Sequence, residues 1–218
     1  LAGRKRDLYR AWVRDIDIVK LLDNTDMPLN ALFSKKVVQD IVHQYVVQEA
    51  SMKPKNPASF APHMLRLSLS LSNMHGIDYR IPYFSSTSQE QQHLLTTFFS
   101  DMARFKIHAR QLPSQTEWQA IGEAAIASGT FPFAFQPHKL RRSASDYPDS
   151  TYEEHPELLQ EELCFIDGGL FDNEPLGEAV NQAKEADGGS LDPTRIFILV
   201  DPNLNCSTAS RTVPAAPV

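Results

Sequence analysis

Cys164-Phe165-Ile166-Asp167-Gly168-Gly169-Leu170-Phe171-Asp172-Asn173-Glu174-Pro175-Leu176 is the stretch on which the reading of this chain turns. An apolar run ends in an aspartate, two glycines follow at once, and Asn-Glu-Pro opens a helix-compatible segment. That order predicts a carboxylate at the carboxyl end of a buried strand, where ligands and catalytic groups gather in open α/β sheets. Glycine lets the backbone turn sharply and lets another group approach it closely. Farther along, residues 178–186 read as a helix. Arg195-Ile196-Phe197-Ile198-Leu199-Val200-Asp201 is a continuous apolar run, the pattern of a strand buried on both faces. Strand, helix and strand in that order predict an α/β fold, a three-layer sandwich with a mainly parallel central sheet.

The chain contains a second Asp-Gly-Gly, Asp187-Gly188-Gly189, directly after the helical segment. Glycine just past a helix end is the ordinary left-handed cap, so Asp187 reads as a turn residue without chemistry. By residue pattern alone, Asp167 is either a group poised at a strand end or a turn aspartate bound to its own backbone.

Three blocks carry a family resemblance. Asp167-Gly168-Gly169, followed by Asp172-Asn173 and Pro175, resembles the D-G-G block of patatin-like lipid acyl hydrolases. Ala124-Ala125-Ile126-Ala127-Ser128-Gly129-Thr130-Phe131-Pro132-Phe133-Ala134-Phe135 resembles the A-x-x-A-S-x-x-F-P segment of the same family. Leu65 to Asn73 and the hairpin after it are similar to a sheet insertion of bacterial members. The blocks stand in the family's order over most of the chain.

The resemblance implies a patatin-like three-layer sandwich with a β-hairpin insertion over residues 1–206 and a loose tail over 207–218. It implies a phospholipase or esterase using a serine–aspartate dyad without metal or cofactor. Asp167 would be the general base, Gly168 and Gly169 the active-site backbone, and a lipid or acyl ester the substrate. Transient contact with a membrane surface accompanies that expectation. The family's nucleophile sits on a G-x-S-x-G elbow, and no such motif occurs in these 218 residues. The glycine-rich run that supplies oxyanion amides, worth about 3 kcal/mol per donor, does not occur either. In the family's order both precede Leu1. The expectation is therefore the middle and distal part of a larger hydrolase, with the serine outside this chain. Ser128 lies at a helix end without an adjacent base or an elbow, and reads as structural. The alternative is a non-catalytic lipid-binding or scaffold module.

The bulk numbers narrow the classes. The chain is 42% hydrophobic and 22% charged, as a globular domain with a substantial core should be. A net charge of −6 argues against nucleic-acid binding through a basic surface. Arg4-Lys5-Arg6 reads as a solvated helix face, and Arg141-Arg142 as solvated charge in a polar loop. No G-x-G-x-x-G or P-loop occurs, so no nucleotide is expected. His75 and His138, beside turn-forming residues, either line a cleft or sit in loops; no histidine shows zinc spacing. Cys164 reads as apolar filler in its strand. With Cys206 in an unrelated context, it indicates no disulfide framework and fits a reducing, cytoplasmic compartment. No run of about 18 apolar residues predicts a spanning helix.

Along the chain, Leu1 to about Leu22 reads as one helix. Ser34 resembles an N-cap before an amphipathic helix carrying Val37, Val38, Ile41, Val42, Tyr45 and Val46. Residues 53–62 read as a loop. Leu65, Leu67, Leu69 and Leu71 alternate with Arg66, Ser68, Ser70 and Ser72, a half-buried strand. Asn73 to Ile77 reads as a turn, and Tyr79 to Phe84 as the returning edge strand, because Pro82 cannot donate to a ladder. That hairpin either shapes an acyl-chain pocket or packs into the core. Residues 89–107 carry aromatics without a clear period. Glu117 to Ser128 reads as a helix ended by Gly129, and the polar residues 138–160 as a loop or lid.

Overall fold

The computed structural model describes residues 9–23, 31–48, 62–84, 91–108, 111, 113–148, 150 and 162–200. They divide into two compact units, Leu1–Pro175 and Leu176–Val218. The expected loops at 53–61 and 151–160, the Arg4-Lys5-Arg6 cluster, Asp201, Cys206 and the tail at 207–218 lie outside the described residues.

The first unit is built on a four-stranded sheet of order β2–β1–β4–β3. The strands are β1 (Met64–Phe84), β2 (Gln91–His108), β3 (His138–Leu140) and β4 (Leu163–Asp167). All three pairings are antiparallel. This overturns the three-layer sandwich with a mainly parallel sheet. The parallel reading required residues 195–200 to be a buried strand following a crossover helix. Those residues form no strand and stand exposed, Ile198 at 81%. An apolar run shows that a segment is β-prone but does not name its neighbour. Here β4 finds its neighbours among upstream strands that run the other way.

The hairpin expectation is corrected as well. Tyr79–Phe84 does not turn back at Gly76 but continues β1, and both halves of β1 pair with β2. The register shifts between the Ser72–Ser100 pair and the Ile77–Phe98 pair, so Asn73 to Gly76 form a bulge. Gly76 carries it with φ of +72°, a conformation open to glycine. A bulge and a turn look alike in sequence, because both need a glycine inside a β-prone run.

One helix of this unit packs on the sheet, and the others pack on that helix or on one another. The amino-terminal helix is broken: a π-helical turn at Arg10–Asp15 is followed by extended backbone at Asp17 and a short helix α1 (Ile18–Leu21). The Asp17 carboxylate accepts from the Val19 amide at 2.9 Å, so a capping aspartate restarts the helix where continuity was expected. Helix α2 (Lys36–Val42) runs into a π-helical turn at His43–Gln48. The N-cap is Lys35, without a side-chain cap bond, and Ser34, expected there, stands one position earlier, where its Oγ accepts from the Lys36 amide at 3.2 Å. Helix α3 (Gln115–Ser128) starts at a reciprocal Ser114–Glu117 capping box and ends before Gly129.

The core lies between α3 and the sheet. Leu71, Ile77, Leu163 and Phe165 pack there with Ala124 and Ala127, whose small side chains let the helix sit close. Each fully buried large apolar side chain contributes about 1.5–3 kcal/mol. Tyr147 belongs to the same cluster. Residues 138–148 are therefore not the solvated loop expected from their polarity: they supply a strand and a core tyrosine.

In the second unit, helix α4 (Leu176–Ala186) ends in Asp187 with Gly188 and Gly189 at φ of +76° and +107°. The Gly189 amide donates to the Lys184 carbonyl at 2.8 Å, closing the helix end as expected of this second Asp-Gly-Gly. Asp187 also pairs with Arg195, whose hydrogen bond, with that of the Asp192 amide, holds the carboxyl down to about 2. Among the described residues, no helix is long and apolar enough to cross a membrane.

Candidate functional site

Strand β4 delivers Asp167 to the sheet end by pairing on both sides, Leu71 of β1 standing opposite Asp167 and His138 of β3 opposite Phe165. The Asp167 amide donates to the Thr130 carbonyl at 2.9 Å, and Ser72 Oγ donates to the Asp167 carbonyl at 2.7 Å. The backbone is thus tied to the segment after α3 and to β1. The chain then makes one 3₁₀ turn, Gly168–Leu170, and Asp167 Oδ1 accepts from the Gly169 amide at 2.8 Å. The self-binding turn that residue pattern allowed is present. It uses one carboxylate oxygen; the second has no hydrogen-bond partner among the described residues.

The two glycines do different work. A Cβ on Gly168 would lie 2.0 Å from the Ser70 carbonyl oxygen, so the turn passes β1 at a distance only glycine permits. Gly168 is buried there and does not face the cavity. Gly169 does, beside the Asn173 side chain.

Asp167 and Gly169 border a cavity of about 410 Å³ whose walls are mostly apolar. Phe131, Pro132, Phe133, Leu170 and Asn173 line the rest of it. Phe131 and Phe133 are exposed at the cavity, while Phe135 packs on Phe33 with ring centroids 6.0 Å apart. Phe133 has φ of +66°, a left-handed conformation that costs a bulky residue about 1–3 kcal/mol. Its position is imposed by neighbours: the Leu32 amide donates to the Phe133 carbonyl at 3.0 Å, and the Phe33 amide to the Ala134 carbonyl at 2.8 Å.

Ser128, at the end of α3, has no hydrogen bond to the Asp167 carboxylate, and neither has any other serine among the described residues. No three His, Cys, Asp or Glu side chains among them are grouped to hold a metal ion.

Two polar groupings escaped the residue pattern. His138 is neither in a loop nor in this cavity. It is buried on β3, with Nε2 2.6 Å from Glu123 Oε2 of α3. Burial and the nearby Lys35 charge lower its basicity, against the raising effect of Glu123. Arg142, expected as solvated charge, is buried against Asp101 of β2. Its Nη2 donates to Asp101 Oδ1 at 3.0 Å and to the Met102 carbonyl at 3.1 Å, and its Nε to the Tyr147 hydroxyl at 3.0 Å. Tyr147 in turn donates to Asp101 Oδ2 at 2.7 Å. Burial and the Asp101 charge push the phenol's pKa up, so it stays a donor. Burial opposes the Arg142 charge, but Asp101 and Tyr147 outweigh it and the guanidinium is held more firmly protonated. Arg142 and Tyr147 stand close in the chain, but Asp101 lies on a distant strand and Glu123 on another element from His138, and no local spacing links either carboxylate to its partner.

No protein-family model matches this chain. No solved structure matches it. Among curated proteins it is similar to the uncharacterized protein y4iI of Sinorhizobium fredii (strain NBRC 101917 / NGR234), 23% identical over 222 residues. The alignment covers 78% of this chain and 31% of the relative, so the chain spans less than a third of that protein's length.

Proposed function

We propose that this chain is the base-bearing part of a serine ester hydrolase acting on substrates with an apolar acyl group, with Asp167 as general base and the serine contributed from outside these residues. The observation that carries the reading is the asymmetric Asp167 carboxylate at an apolar cavity: Oδ1 is held by the Gly169 amide, and Oδ2 is uncommitted. A carboxylate oriented through one oxygen can take a serine proton through the other, provided the hydroxyl docks within about 2.6–3.2 Å. The serine would attack the ester carbonyl, the alcohol would leave with the proton, and water would release the acid. The resemblance of the D-G-G block to lipid acyl hydrolases agrees with this assignment.

The natural polypeptide that contains these residues, treated with a fluorophosphonate and mapped by mass spectrometry, should be labelled on one serine outside positions 1–218. Asp167→Asn should abolish both that labelling and hydrolysis of p-nitrophenyl octanoate while the far-ultraviolet circular dichroism is unchanged. Full activity in Asp167→Asn would refute the reading. A second reading, a lipid-binding module without turnover, is favoured by the absence of any serine hydroxyl bonded to the Asp167 carboxylate among the described residues. It predicts ligand binding with no labelled serine.

A further inference from the structure

We infer that the Asp167 cavity selects an uncharged, hydroxyl-bearing single-chain amphiphile over a fatty carboxylate, and that Phe133 determines how tightly the alkyl chain is held. The inference rests on reading this cavity as the substrate site and names its ligand class.

Phe133 is 83% exposed, so burial of its ring does not compensate a left-handed backbone that glycine would adopt freely. The Leu32 amide's bond to the Phe133 carbonyl and the Phe33 amide's bond to the carbonyl of the next residue, Ala134, hold it in place, and its ring contributes little to the fold. Phe131 and Leu170 are also more than half exposed and border the same opening. Large apolar side chains gathered at a cavity mouth, one of them in a strained conformation, fit a surface that an alkyl chain covers. The volume of about 410 Å³ suits one small ligand.

The polar end sets the head group. Asp167 presents a free carboxylate oxygen, which accepts a hydrogen bond from a hydroxyl. It repels a second carboxylate, and it does so strongly where apolar walls reduce the water between them. Asn173 adds an amide, which serves either role. An alcohol therefore fits both ends, and a fatty acid anion fits one.

Isothermal titration of this chain with 1-octanol, 1-butanol and octanoate tests the idea at about pH 8, where the acid is fully ionised. We expect 1-octanol to bind at least about tenfold more tightly than either competitor. Phe133→Gly should weaken 1-octanol about tenfold while the urea midpoint stays the same or rises, and Phe133→Trp should retain binding. Asp167→Asn should erase the preference over octanoate. Equal binding of 1-octanol and octanoate, unchanged affinity in Phe133→Gly, loss of folding in that variant, or no binding of 1-octanol would each overturn the inference. No turnover is read, so the two proposals fail separately. Persistent ester hydrolysis in Asp167→Asn removes the base but leaves the head-group preference standing. Lost hydrolysis with no preference does the reverse.

Discussion

Replacing Arg142 by methionine keeps the side chain's apolar stem and removes its charge, which isolates what the buried network contributes. The Arg142 and Asp101 side chains are 10% and 4% exposed, so neither charge is well hydrated. Without the guanidinium, Asp101 keeps the Tyr147 hydroxyl and the Met102 amide but has no counter-charge. Breaking a buried pair by removing one partner costs about 3–5 kcal/mol, and the two remaining donors put Arg142→Met at the lower end, about 3 kcal/mol. Against a typical total stability of about 5–15 kcal/mol that is a large fraction. Asp101→Asn combined with Arg142→Met removes both charges together. The pair should be less damaging than the sum of the single changes, by a coupling of about 1.5 kcal/mol or more. Urea unfolding followed by far-ultraviolet circular dichroism gives all four free energies. A single-variant loss under about 1 kcal/mol with additive effects would mean the pair behaves as a solvated surface bridge, and the account of it as a core element would be refuted.

The remaining predictions follow from the site and its surroundings. Gly168→Ala would place a methyl against the Ser70 carbonyl and should lower stability by about 3 kcal/mol, whereas Gly169→Ala meets side-chain atoms alone, Asn173 Oδ1 at 2.9 Å and Asp167 Oδ1 at 3.2 Å, and should cost about 1 kcal/mol by urea midpoint. His138 is less basic folded than unfolded, so folding favours its neutral form. That stability is present above the unfolded value of about 6.5 and is lost as pH falls through it toward the folded value; the urea midpoint should drop over that interval, and His138→Gln should flatten the drop. The outcomes for Asp167→Asn and Phe133→Gly are given with the proposals they test.

Local features of this protein were legible in its sequence because they depend on neighbours in the chain. The helix end at Gly129, the helix end at Gly188-Gly189, and the strand that finishes at Asp167 each follow from residues a few positions apart. That Asp167 ends a strand and Gly169 stands in the tight turn beside it was legible for the same reason. Gly168 was legible as a glycine that permits close approach, but the group it approaches, the Ser70 carbonyl, lies about a hundred positions upstream.

Strand direction and partnership were decided only in three dimensions. Apolar content makes 163–167 and 195–200 equally strand-like, yet the first pairs on both edges and the second does not pair at all among the described residues. A ladder is a contract between distant backbones, and side-chain patterning records which face is buried, not which strand lies alongside. The burial of Arg142 and His138 was hidden in the same way. A charge reads as solvated until tertiary packing brings it a partner, here Asp101 from β2 and Glu123 from α3, and only then does burying it become affordable in free energy.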